Sequence, residues 1–223
     1  MPSTLVHVSI ALLLAAALLG ESFDGRSALV VAAATVLPDL DVALEPLLSG
    51  AHRSVGHTFL FPALLLAVLV WDVRFRSQSA LRERYGARGV EVAFVAVACV
   101  VGAAIVPDLV VGGINALYPI HDQFYTVDGR LFYSTDRGWV QTFVDLSPPE
   151  PESGSGSQPR TTRNFDFRTV LDAEPTLGVE NGGDGGGGEP QRVERLFPVA
   201  MTGFRAWLIP LAAFVTAVRL RRA

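Results

Sequence analysis

An all-α transmembrane helix bundle of about five spans, with a small β-containing extracytoplasmic insert, is the fold class this sequence predicts. Three observations carry the expectation. Half of the 223 residues are hydrophobic, and the mean hydropathy is +0.37. Apolar runs at Leu5–Leu19, Val55–Val70, Val90–Val106 and Trp207–Val218 approach the roughly 20 residues a bilayer crossing requires. The His and Asp residues gather at the ends of those runs instead of spreading along them.

Taken in order, the first helix covers about Thr4 to Leu19 and stops at Gly20, a natural terminator. Ala15-Ala16-Ala17 imitates a signal-peptide cleavage site, but no basic residue precedes the apolar stretch and His7 interrupts it, so the segment is expected to stay as helix. The second helix runs about Ser27–Leu37 and ends against Pro38. Leu40–Leu48 reads as a half-helix or interfacial turn. The third helix begins near His57 and reaches Trp71, an interfacial anchor. The fourth covers Gly89–Val106, with Pro107 closing it and Leu109–Leu117 forming a re-entrant or capping turn at Gly112-Gly113. Residues 1–120 are thus expected to form a transmembrane domain. In residues 121–198, Gln123–Ser134 alternates around Asp128-Gly129, a strong hairpin signal, and Gly138–Leu146 supplies a second strand. Ser147–Pro159 and Glu180–Pro190 have the composition of flexible chain. Residues 199–223 return as a last helix, Val199–Val218, ending in Arg219, Arg221 and Arg222.

The charge pattern sets orientation and excludes one class of partner. All 18 basic residues are Arg against 22 acidic ones, a net charge of −4 that argues against nucleic acid. An acidic chain without Lys has an archaeal-like, salt-adapted composition, although GC-rich coding alone would also favour Arg. Arg74, Arg76, Arg82, Arg84 and Arg88 lie between helices 3 and 4, and three more end the chain. Both clusters belong in the cytoplasm by the positive-inside rule, which places the N-terminus and the insert outside a multi-pass cell membrane protein. The single Cys99 permits neither an internal disulfide nor a cysteine zinc site.

That topology brings the polar residues together. The starts of odd helices and the ends of even ones share one membrane face, so His7, Asp39, Asp41, His52, His57 and Asp108 are expected to meet there. Ionisable groups at membrane depth are costly and mark function. Imidazole with carboxylate suits a divalent metal ion, zinc, manganese or iron. On a helix, Asp39 and Asp41 would point about 200° apart; in an extended turn both can aim at one cation, unless one simply caps the following helix. His52 belongs in the loop and His57 on the first turn, with Gly56 allowing the bend between them. Taken alone, His7 reads as an interfacial residue snorkelling to headgroups and His121 as loop close enough to substitute, whereas His52 and His57, two of the chain's four His within six residues beside a span, point to more than a solvated interfacial pair. A metal-activated water would supply a nucleophile, Asp41 or Asp39 a general base, and Arg53 an oxyanion grip for a phosphate-like group.

At these residues the chain resembles the YdjM type of membrane-bound metal-dependent hydrolases, LexA-regulated inner-membrane proteins of bacteria. The resemblance rests on His7, Leu37-Pro38-Asp39-Leu40-Asp41, His52-Arg53-x-x-x-His57 followed by Thr58, and Gly102–Pro119 with Asp108, Gly113 and Tyr118-Pro119. It covers roughly residues 1–120 and omits the insert. It implies a metal-dependent hydrolase within the lipid bilayer, acting on a lipid-like or phosphoester substrate. The family commonly places a His one turn before the later Asp, where this chain has Ala104. That departure supports the alternative of a non-enzymatic membrane protein with a structural or degenerate metal site and a partner-binding insert.

Overall fold

The computed structural model describes residues 3–45, 47–48, 50–136, 138–145, 160–164, 199–200 and 202–222. Among these the chain is dominated by helices whose starts and ends alternate between two faces. Helix α1, Thr4–Leu18, is capped by the Ser3 hydroxyl. Helix α2, Gly25–Val36, opens on a capping box in which Asp24 and Ser27 satisfy each other's backbone N–H groups. At Pro38 the chain bends by 42° into a 3-10 helix, Pro38–Leu44. Helix α3, Leu60–Val70, continues into a π-turn at Trp71–Phe75. Helix α4, Ala80–Cys99, passes through a second π-turn, Val100–Ile105, into α5, Val106–Val111. Helix α6, Gly203–Leu220, lies along α1 in the same direction: Ser3 bonds the Val199 carbonyl at their starts, and Arg219 bonds the Gly20 carbonyl at their ends.

The centre of the bundle is built from small residues. Ala11 and Ala15 of α1 meet Ala96, Cys99 and Ala103 across the interface, and the Cys99 thiol reaches the Ala11 carbonyl at 3.6 Å. Without large side chains the helix axes approach closely, the packing that operates in lipid, where burial of apolar surface gives no drive between helices. The larger apolar side chains, among them Leu29, Leu64, Leu66 and Phe214, point outward. Two helical stretches, Ala80–Val111 and Gly203–Leu220, are long and apolar enough to cross a bilayer, and the bent pair Gly25–Val36 with Pro38–Leu44 makes a third if it counts as one span. Helix α1, at 15 residues, and α3, at 11, are apolar but shorter.

Several local expectations are corrected. Pro107 does not close a helix. The π-turn before it leaves Pro107 in the first turn of α5, where its missing N–H costs nothing, and the helix carries Asp108 inward before ending at Gly112-Gly113. Helix α3 starts at Leu60, later than His57, because side-chain bonds from Asp41 and Glu45 hold Gly50–His57 in a compact turn instead. The Asp128-Gly129 pair is not the hairpin turn. Strands β1, Asp128–Ser134, and β2, Gly138–Asp145, pair antiparallel with reversal between Ser134 and Gly138, and the register shift at Asp128/Arg130 places Gly129 at a bulge. The stretches expected to be flexible, Ser147–Pro159 and Glu180–Pro190, lie outside the described residues.

The face opposite the His/Asp cluster is held by arginines. Arg88 pairs with Asp24 at 2.6 Å and bonds the Ser22 carbonyl, while Ser22 reaches Glu91. On the same face Asp72 ties the end of α3 to the start of α4. Its carboxylate accepts from the Ser79 hydroxyl at 2.7 Å and from the N–H groups of Ala80 and Leu81, and it pairs with Arg76. The Ser79 hydroxyl first, then the Leu81 and Ala80 N–H groups and the Arg76 charge, hold its pKa down from 3.8 to about 2. A carboxylate depressed on folding stabilises above its unfolded pKa, and that contribution fades as pH falls through the folded value. Asp72→Asn is therefore expected to remove part of the stability lost on acidification between about pH 4 and about pH 2. Trp71 fluorescence against pH, variant beside wild type, reads this; superimposable acid limbs would refute it.

Candidate metal centre

Each donor reaches the site because a helix starts or stops there. His7 sits in the first turns of α1 and is buried. Asp39 and Asp41 leave the end of α2 on the 3-10 helix, where three residues per turn rotate positions two apart by about 240°. The two carboxylates diverge for this reason and take different tasks. Asp39 faces His7 and His57, whereas Asp41 faces the following loop. Asp108 enters from α5 and is buried. One nitrogen of His7 and one oxygen each from Asp39 and Asp108 lie within 4.8 Å of one another, close enough to share a cation.

His57 faces the same group. Its Nε2 lies 3.2 Å from Asp39 and 3.1 Å from Asp108, and its Nδ1 lies 3.0 Å from Asp41. With the Nδ1 proton donated to Asp41, Nε2 carries a lone pair directed at the other two carboxylates. This is the carboxylate–histidine arrangement that orients an imidazole toward a metal. His7 stands 3.5 Å from Asp39 through Nδ1 and 3.5 Å from Asp108 through Nε2. Those distances suit ion pairing, yet both His7 nitrogens and His57 Nε2 are buried without a hydrogen bond of acceptable geometry. Buried polar atoms normally find partners, and donors converging on one point without bonding each other fit a divalent cation between them. Charge agrees: the carboxylates of Asp39, Asp41 and Asp108 face the single guanidinium of Arg53, leaving two negative charges uncompensated when the imidazoles are neutral.

A second layer fixes these groups. Asp41 spends both oxygens: Oδ1 meets His52 Nδ1 at 2.8 Å, and Oδ2 meets His57 and accepts from the N–H groups of Arg53 and Gly56, each at 3.1 Å. It organises the loop, and it stands outside the His7/Asp39/Asp108 group, whereas the sequence reading has it as metal ligand and base. His52 stands beside Asp41, outside the His7/Asp39/Asp108 group. Arg53, in the left-handed region at φ 63, turns its buried guanidinium onto Asp108 at 2.9 Å and the Gly113 carbonyl at 3.1 Å. Its visible task is to neutralise and aim Asp108, where an open oxyanion grip was expected. The Thr4 hydroxyl donates to Asp39, the most open member of the group at 14 % side-chain exposure. His121 does not substitute for a ligand; it is exposed and bonds Tyr125 and Gln123. Ala104 is fully buried and offers no donor.

Sequence reasoning missed the support behind Arg53. Asn115 N–H donates to the Arg53 carbonyl at 2.8 Å, and the Asn115 amide bonds Asp122, which also accepts from Thr162. Thr58 and Phe59 donate to the Ala116 carbonyl, pinning the same turn to the His57 end of the loop. No spacing rule flags these contacts, because they join residues up to 62 positions apart, Arg53 and Asn115, through irregular backbone.

A family model described as YdjM inner membrane protein matches residues 1–164, which includes the hairpin and the Thr162 contact and so extends past the residue 120 limit expected from motifs. No curated protein and no solved structure matches the chain. With nearly three quarters of its length covered, including every residue of the His/Asp cluster, the chain belongs to the YdjM inner membrane protein family.

Proposed function

We propose that this chain is a membrane-embedded, metal-dependent hydrolase whose centre uses His7, Asp39, His57 and Asp108, and which acts on a lipid-like or phosphoester substrate. The observation that carries the reading is the convergence of His7, Asp39 and Asp108 within 4.8 Å, with the bond-free His57 Nε2 facing the same point. Zinc, manganese or iron(II) suits this donor set, and supplies a Lewis acid and a water activated near neutral pH. The chain's own residues prepare the site. Asp41 fixes the His57 tautomer, Arg53 holds Asp108 ionised, and Thr4 fixes Asp39. The helices beneath exclude bulk water, which strengthens every charge interaction inside. In the cell the reading has five crossings, with α1 and α3 spanning as short helices, the centre and the 121–198 insert outside, and the Arg-rich face in the cytoplasm.

Metal analysis of the detergent-purified full chain tests it. Wild type is expected to retain about one divalent ion per chain, and His7→Ala and His57→Ala to lose it. Asp41→Asn, which disturbs the orientation of His57 and the loop that carries it without removing one of the four proposed ligands, is expected to weaken affinity by about 10- to 100-fold. Metal-free wild type after growth in each metal would sink the proposal. Bound metal without turnover on a broad ester and phosphoester panel would favour the structural-site alternative, for which the donorless Ala104 is the specific observation.

A further inference from the structure

After the hairpin, the segment 160–164 returns to the body of the protein and lands on two loops at once. Thr162 donates twice to the Asp122 carboxylate, from its N–H at 3.0 Å and from its hydroxyl at 2.8 Å. Beside it the Phe124 N–H donates to the Arg160 carbonyl at 2.8 Å. The Thr162 backbone also lies close against Gly50, where an added Cβ would stand 2.9 Å from both the Thr162 Cα and its carbonyl oxygen. Gly50 has φ 72, so glycine serves there both the turn and the close approach. An insert carried only to display a surface would not need these fastenings. This one is tied where it leaves, through the Ile114–Tyr125 bridge and the Val127 N–H to the Leu109 carbonyl, and tied again where it returns.

Two lines of contact run inward from Thr162, and both end on donors of the centre. On one side Asp122 accepts from the amide of buried Asn115 at 2.7 Å, and the Asn115 N–H donates to the Arg53 carbonyl at 2.8 Å. Arg53 then holds Asp108 at 2.9 Å. On the other side Gly50 shares the Glu45 carboxylate with His52, through N–H bonds of 3.0 Å and 2.7 Å. His52 meets Asp41 at 2.8 Å, and Asp41 meets His57 at 3.0 Å. Asp108 and His57 face each other at 3.1 Å. One short segment thus braces, from opposite sides, two groups whose spacing a metal ion would sense. Outer partners that orient ligands govern affinity for this reason.

We propose that Thr162 and Asp122 are positioning residues of the centre, so that docking of segment 160–164 and metal binding support one another. The linkage is reciprocal: docking tightens metal binding by the same factor by which metal tightens docking. The insert is then a working part of the centre, which its return path holds in register. The assignment rests on the metal-dependent reading of the centre and adds what governs its occupancy.

Zinc titration of the full chain in detergent, joined to amide hydrogen exchange with and without zinc, tests it. Thr162→Val keeps the side-chain shape, removes the hydroxyl donor, and is expected to bind zinc about tenfold more weakly. Thr162→Ser restores the donor and is expected to recover most of the loss. Gly50→Ala, which forces the Thr162 backbone away from the other loop, is expected to weaken zinc binding comparably. Zinc is expected to slow exchange at residues 160–164 in wild type and to do so less in Thr162→Val. The Ala80 and Leu81 N–H groups, held by Asp72 on the opposite face, are expected to exchange alike throughout. Equal slowing on both faces would mean general stabilisation and overturn the linkage. Thr162→Ser binding no better than Thr162→Val would overturn the hydroxyl bond to Asp122 as its cause. Exchange of the Arg53 and Gly56 N–H groups in the metal-free chain separates the two ideas. Wild type without zinc affinity, but with those groups exchanging faster in Thr162→Val, defeats the hydrolase reading and leaves Thr162 as the residue that fixes the loop. Zinc binding indifferent to both Thr162→Val and Gly50→Ala defeats this inference alone.

Discussion

Asp108→Ala is expected to destabilise the protein by about 3–5 kcal/mol and to abolish metal retention together. Arg53 and Asp108 are both almost wholly buried and joined at 2.9 Å. Removing the carboxylate takes away the charge partner of a buried guanidinium that also bonds the Gly113 carbonyl, with no bulk water at hand to replace the lost charge. Against a total folding stability of typically 5–15 kcal/mol, that loss is a large fraction. The same substitution removes a donor facing His7 and His57. Thermal unfolding in detergent and metal analysis of the same sample read the two effects. A paired substitution, Arg53→Met with Asp108→Leu, distinguishes them, since replacing both charges with apolar groups of similar size is often neutral. Stability is then expected to return while metal does not. An Asp108→Ala protein melting with wild type would show that the buried pair is not what holds this end of the bundle.

Much of this site was legible because its logic is topological. An alternating bundle places starts of odd helices with ends of even ones, and the structure brings His7, Asp39, His57 and Asp108 together on that account. The two Arg clusters fall on the other face for the same reason. Roles were harder to read than positions. Asp39 and Asp41 look equivalent in the sequence, but the 3-10 geometry after Pro38 aims one at the centre and spends the other on backbone N–H groups. Arg53 looks like a substrate grip until its left-handed backbone turns the guanidinium inward onto Asp108. The length of the fourth helix was misjudged because proline is a reliable stop only where its N–H would have been used, and a π-turn removes that need.

Gly56→Ala tests how tightly the two halves of the site are matched. An alanine Cβ there would lie 2.2 Å from the Pro38 carbonyl oxygen and 2.8 Å from Pro38 Cα. Both are backbone atoms, so no side-chain rotation relieves the clash, and either the loop or the start of the 3-10 helix must move. Asp39 follows Pro38 directly, and Gly56 directly precedes His57, so movement of either separates the carboxylate from the Nε2 it faces at 3.2 Å. The Gly56 N–H bond to Asp41 goes with it, loosening the group that orients His57. Metal geometry tolerates shifts of about 0.5 Å, less than the displacement this contact demands. Metal affinity is expected to fall by more than about tenfold, with a stability cost of about 1–3 kcal/mol for overpacking. Helix content should survive, because the small-residue interface of α1 with α4 lies deeper in the bundle. Gly25→Ala is the control: nothing lies within 4 Å of its added Cβ, and it is expected to leave metal and melting temperature unchanged. Should Gly56→Ala keep wild-type metal affinity, the close approach of Pro38 to the His57 loop would not be what sets the centre, and the alignment of Asp39 with His57 would need another cause.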